Sequence, residues 1–154
     1  MDNITIYTDG AASGNPGPGG YGVVLMCGSL RKELSAGYRK TTNNRMELLA
    51  VIVGLEALKK EGNNVTVYSD SRYVVDAVEK GWLQGWIKTG FKNKKNPDLW
   101  RRFMETYSRQ HVKFVWIKGH ADNPENERCD ALAVSAYRSG NLFVDEVYEV
   151  GSAG

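Results

Sequence analysis

Ile4-Thr5-Ile6-Tyr7-Thr8-Asp9 and Val65-Thr66-Val67-Tyr68-Ser69-Asp70 are nearly the same word written twice in this chain. Each is a β-rich run with period-two alternation that closes on an aspartate, and each predicts a strand. Helical patterns separate them, so the two strands are expected to run parallel through a right-handed crossover. As parallel neighbours they would place Asp9 and Asp70 at carboxyl ends, where α/β sheets bind ligands, and on the same face. Two carboxylates held that close repel, and each is driven toward protonation unless a cation is shared between them. Singly, Asp9-Gly10 and Asp70-Ser71 are ordinary turn dipeptides; as a pair they outline a site.

Working outward, residues 21–28 and 31–39 read as two more strands, with Cys27-Gly28-Ser29 close to a hairpin turn, so the chain opens as an antiparallel meander. A helix is predicted over 44–61, apolar almost all the way round and therefore buried between layers. Further helices are expected at 71–80, 81–88 and 98–109, the last introduced by Asn96-Pro97, a good cap and first-turn pair. Val112, Phe114 and Trp116 alternate with Lys113, Val115 and Ile117 as a final strand, and Asn123-Pro124 starts a helix to about 138. The order β-β-β-α-β-α-α-α-β-α implies an α/β fold with a mixed sheet. One globular domain is expected, with an acidic, loosely attached tail from 141 to 154.

Glu47 strengthens the site, because a carboxylate on a helix with apolar neighbours needs a partner. Its ordinary explanation would be an acid favoured by the helix dipole and salt-bridged to Arg45 or to another nearby base. Asp130, between Cys129 and Ala131-Leu132-Ala133, also has apolar neighbours. Four carboxylates without a cysteine or histidine cluster form a hard oxygen set suited to Mg²⁺ or Mn²⁺. Two such ions can drive an in-line phosphodiester displacement, so hydrolysis of nucleic acid follows. His120, flanked by Gly119 and Ala121, could swing toward such a site and move protons. Gly14-Asn15-Pro16-Gly17-Pro18-Gly19-Gly20 lacks the ending of a P-loop and leads into a strand, which excludes nucleoside triphosphate binding.

The net charge of +2 conceals segregation. Residues 80–102 hold Lys80, Lys88, Lys92, Lys94, Lys95, Arg101 and Arg102 against Asp98 alone, so this stretch is +6 and the remainder −4. Trp82, Trp86, Phe91 and Trp100 are interleaved with the cations, the composition of a surface for phosphates, sugars and bases. Cys27 and Cys129 lie far apart and outside any metal spacing, which predicts reduced, packed thiols. There is no apolar run of membrane-spanning length and no basic-then-apolar leader, so a cytoplasmic protein is expected.

The chain resembles the bacterial-type type 1 ribonucleases H over nearly its whole length. The resemblance is carried by Thr8-Asp9-Gly10, by 14–22, by Thr41-Thr42-Asn43-Asn44-Arg45-Met46-Glu47-Leu48, by Ser69-Asp70-Ser71, by Trp116-Ile117-Lys118-Gly119-His120-Ala121 and by 123–130. It implies a ribonuclease H-like fold: a five-stranded mixed sheet, three antiparallel strands then two parallel, flanked by helices on both faces, with the catalytic domain at 1–140. It implies an endonuclease that cuts the RNA strand of RNA·DNA hybrids by two-metal-ion chemistry, leaving 5′-phosphate and 3′-hydroxyl ends. Asp9, Glu47, Asp70 and Asp130 would be the metal-binding catalytic carboxylates, His120 the mobile histidine, Mg²⁺ the cofactor with Mn²⁺ as substitute, and the protein a monomer. Asn15, Asn44 and Ser71 would contact the hybrid, including the 2′-hydroxyl that separates RNA from DNA. Trp82, Trp86, Lys88, Phe91, Lys92, Lys94 and Lys95 would belong to a basic protrusion on the DNA strand. Arg72 stands in the same substrate surface where the family commonly has glutamine; Gly85 replaces asparagine and Phe91 tryptophan. The competing possibilities are a non-catalytic hybrid-binding module, a related metal-dependent nuclease with another substrate, and a Mg²⁺ enzyme acting on a small phosphorylated substrate.

Overall fold

The computed structural model describes residues 2–119 and 123–153. The antiparallel meander consists of β1 (Asn3–Ala12), β2 (Gly17–Cys27) and β3 (Leu30–Thr41). After α1 (Asn43–Glu56), β4 (Asn64–Ser69) pairs with β1 in parallel. Then come α2 (Arg72–Glu79), α3 (Trp82–Lys88), α4 (Pro97–Tyr107) and β5 (His111–Trp116), which runs parallel to β4. The chain finishes with α5 (Pro124–Arg138), the two-residue β6 (Leu142–Phe143) and α6 (Glu146–Ala153). Among the described residues the strand order is β5-β4-β1-β2-β3-β6. The expected five strands are all present, and the sixth is the short β6, pairing in parallel with β3 at Gly37 and Tyr38.

The two matching words do sit side by side, in register from Ile4 opposite Val65 to Tyr7 opposite Tyr68. The Tyr7 and Tyr68 rings stack with centroids 4.7 Å apart. Two residues further along, on the same side of the pleat, come Asp9 and Asp70.

Helices cover both faces of the sheet. On one, α1 lies against β1 and β2, so close at Gly54 that a Cβ there would press on Ile6 and Val23. α4 closes over the far side of α1 with Trp100 and Phe103, both fully buried. Burial of each contributes roughly 2–3 kcal/mol. On the other face α5 crosses β1, β2 and β3. It approaches closely because β2 offers glycine there: a Cβ on Gly22 would run into the Cys129 carbonyl oxygen. That contact seats the helix carrying Asp130.

α1 begins where Thr42 accepts a hydrogen bond from the Arg45 N–H at 3.2 Å. It stops at Glu56, five residues before the expected end. The Leu58 N–H turns back to the Leu55 carbonyl at 3.2 Å. The Lys60 carbonyl is taken by the side chains of Asn63 and Gln110, at 2.9 and 2.7 Å. These loop contacts satisfy groups that another helical turn would have used.

The segment after residue 140 is tied into the body. Asp145 is buried and accepts from the Thr41 hydroxyl at 2.7 Å. It also holds the buried Arg45 guanidinium through Nε at 2.7 Å and an Nη at 2.9 Å. Asp98, at the start of α4, takes two more Arg45 bonds at 2.9 and 2.7 Å, and Asn96 a fifth at 3.2 Å. Arg45 has five N–H donors, and all five are used.

Candidate active site

β1 delivers Asp9, the end of β4 delivers Asp70, and the second turn of α1 delivers Glu47 from the opposite face of the sheet. One carboxylate oxygen from each lies within 4.8 Å of the other two. Glu47 can reach across because Gly10 has no side chain; a Cβ there would run into the Glu47 backbone nitrogen. The Gly10 N–H also bridges the acids, donating to Asp9 Oδ1 at 2.9 Å and Glu47 Oε1 at 2.6 Å. Asp130, half-buried on α5, stands outside this close trio, but its charge helps to raise the Asp9 carboxyl.

Burial pushes the Asp9 carboxyl from 3.8 up to about 8, and the neighbouring Asp70 charge adds to the effect. Glu47 is raised well above its ordinary value, first by burial, then by the charges of Asp9 and Asp70. Anionic oxygens crowded into a dry corner carry a cost that a divalent cation would remove. A direct sign of fit is Asp70 Oδ1, which is buried without a hydrogen-bond partner. The all-carboxylate donor set suits a hard, oxygen-seeking ion.

The remaining candidates fall into two groups around this corner. The Asn15 Oδ1 accepts from the Asn43 N–H at 3.1 Å, tying the glycine-rich turn to the start of α1. Asn15 and Asn44 line a cleft of about 590 Å³, with Lys95 and Tyr148 also on its wall. Ser71 is buried as the N-cap of α2, accepting from the Val74 N–H at 3.3 Å, which leaves its hydroxyl hydrogen free to donate. Arg72 stacks on Trp116, 3.8 Å from the ring centre.

In the protrusion, Lys88, Lys92, Lys94 and Lys95 are exposed. The aromatic residues interleaved with them are not a bare stacking surface. Trp82 is 47% exposed with Lys80 over its ring. Trp86 is half-buried against Trp100 and covered by Lys94. Phe91 is buried in the core, under Arg101. Phe91 therefore anchors the loop, and the lysines are the side chains it leaves facing solvent.

His120 lies outside the described residues. The suggested pairing of Glu47 with Arg45 is absent: Arg45 spends its donors on Asp98, Asp145 and Asn96, and Glu47 takes the Gly10 N–H instead. Sequence reasoning also missed Asp145, which looked like one acid among several in the tail. The Gly10 amide could have been noticed, since Asp-Gly follows a strand directly at the site.

The chain matches the RNase H family over residues 1–138. It is 61% identical over 150 residues to a ribonuclease H of Desulforamulus reducens, covering 94% of both chains. Among solved structures it is similar to LC9-RNase H1, a type 1 RNase H with the type 2 active-site motif, with 29% identity and a TM-score of 0.81. That match covers all of this chain and 82% of the other. LC11-RNase H1, solved in complex with an RNA/DNA hybrid, matches with 31% identity and a TM-score of 0.61, over 88% of this chain and 97% of that one.

Proposed function

The chain belongs to the RNase H family, and from that membership we propose that it hydrolyses the RNA strand of RNA·DNA hybrids as a metal-dependent endoribonuclease. The observation that carries the chemistry is the convergence of Asp9, Glu47 and Asp70 within 4.8 Å. The relative bound to a hybrid supports the choice of substrate.

On this reading Asp9, Glu47, Asp70 and Asp130 hold Mg²⁺, with Mn²⁺ able to replace it. Bound there, two such ions would supply an activated water and charge stabilisation for the leaving oxygen of an in-line displacement, and the products would carry 5′-phosphate and 3′-hydroxyl ends. The Gly10 N–H keeps Asp9 and Glu47 together. Asn15, Asn44 and Ser71 align the scissile strand and test for its 2′-hydroxyl. Lys88, Lys92, Lys94 and Lys95 hold phosphates of the DNA strand, and Trp82 and Trp86 flank them. His120 assists turnover by moving a proton. The catalytic part is residues 1–140, and the protein acts as a monomer in the cytoplasm, where its two free thiols stay reduced.

Cleavage of a labelled RNA·DNA hybrid, beside single-stranded RNA and duplex RNA, tests the proposal with Mg²⁺ and with chelator, in the wild type and in Asp9→Asn. Metal-dependent cutting of the hybrid alone, lost in the variant, is the expected result. Tight hybrid binding without cutting would reduce the protein to a binding module.

A further inference from the structure

Arg72 opens α2 directly after Ser71, and its guanidinium carbon lies 3.8 Å from the centre of the Trp116 ring. That is van der Waals contact, so the charged group rests on the indole. The indole is itself fixed. Its Nε1–H donates to the Asp70 carbonyl oxygen at 3.1 Å, and Trp116 ends β5 in register with Ser69 of β4. One turn along α2, Asp76 lies 3.7 Å from the guanidinium. The Arg72 side chain is still 59% exposed. A planar array of donors is thus held at the rim of the carboxylate site, open to solvent.

Building on the hybrid-cleavage reading, we propose that Arg72 is a specificity-determining residue. It donates to minor-groove acceptors of one base pair near the scissile phosphate and so biases cutting away from G·C at that pair. A site that checks for 2′-hydroxyls faces the minor groove, because A-form-like helices display those hydroxyls and the base edges there. Arg72 follows Ser71, one of the residues assigned to that check, so the groove floor is the surface it meets. A·T-type pairs present only acceptors in the minor groove, the purine N3 and pyrimidine O2, whereas G·C adds the guanine N2 amino donor.

Arginine has five donors and no acceptor; glutamine has both. A glutamine here can satisfy either kind of pair. Arg72 meets the guanine amino group donor against donor, and the Trp116 platform limits its freedom to turn away. Trp116 is the positioning residue for that contact.

The test is cleavage of hybrids carrying a randomised segment, with cut positions sequenced at two salt concentrations. Wild type, Arg72→Gln, Arg72→Lys and Trp116→Leu are compared. The wild type is expected to show roughly three- to tenfold depletion of G·C at one base pair fixed relative to the cut. Arg72→Gln abolishes the depletion, and Arg72→Lys, which keeps the charge without the planar fork, weakens it. Trp116→Leu weakens it too while leaving the salt dependence unchanged. The same cut pattern in wild type and Arg72→Gln overturns the inference, including the case where only the salt slope falls by about one, the mark of a phosphate contact. Failure of the wild type to cut any hybrid brings down the functional reading as well, whereas indifference to Arg72 brings down this inference alone.

Discussion

Asp9 concentrates the conflict between stability and function at single-residue scale. Its carboxyl is raised from 3.8 to about 8, chiefly by burial and then by Asp70, so the folded protein holds a proton that the unfolded chain releases near pH 4. Metal-free stability therefore falls as pH rises from about 4 to about 8. Asp9→Asn removes the Asp9 share of that slope, while Glu47, also raised by burial, keeps its own. The variant should retain hybrid binding and lose cleavage, and at pH 8 without metal it should be more stable than the wild type by on the order of 2 kcal/mol. Thermal melts across pH 5 to 9 with chelator check this; parallel slopes in the two proteins would contradict it. Gly10→Ala is expected to act the other way, since its Cβ collides with the Glu47 backbone. A loss of about 3 kcal/mol and of metal affinity, followed by denaturant titration and calorimetry, is predicted. Both acids were legible in the sequence because the two strands spell the same word. The Asp9-Gly10 step was open to notice as well, but its link to Glu47 was not, because that depends on how near a helix passes.

The protrusion between α2 and α4 separates what each kind of residue does at element scale. Its lysines face solvent, while Phe91 is buried and adopts a left-handed backbone with φ near 62°. Asn93 and Asn96 share that conformation, which costs less for asparagine than for a bulky side chain. Replacing Lys92, Lys94 and Lys95 by glutamine should weaken hybrid binding and flatten its salt dependence by about one unit of slope for each lysine that meets a phosphate. Filter binding over a salt series measures this directly. Phe91→Ala should instead destabilise the fold by about 3 kcal/mol, as large-to-small core changes do. Composition identified this segment correctly as cationic and aromatic. It could not say which aromatics face inward, because the segment has no period to read. The strands and helices were legible for the opposite reason, their alternation being regular. The end of α1 was misplaced because side chains from residues 63 and 110 decide it.

The whole molecule is held together at Arg45, where α1, α4 and the segment before α6 meet. Burial works against the Arg45 charge, but Asp98 and Asp145 outweigh it and keep the guanidinium firmly protonated. Arg45 also holds Asp98 below the usual carboxylate range despite that residue's partial burial. Asp145→Ala leaves three protein bonds unmade, two from Arg45 and one from Thr41, and should cost about 3 kcal/mol by urea denaturation. Nothing in the sequence singled out Asp145, since a pairing across 100 residues leaves no local pattern. The same separation has a kinetic meaning. Contacts between residues so distant along the chain tend to close late, after the transition state has formed. Asp145→Ala should then leave the refolding rate near that of the wild type and speed unfolding about a hundredfold. In practical terms the Arg45 junction sets how long a folded molecule lasts before it opens to a protease, more than how quickly it first folds.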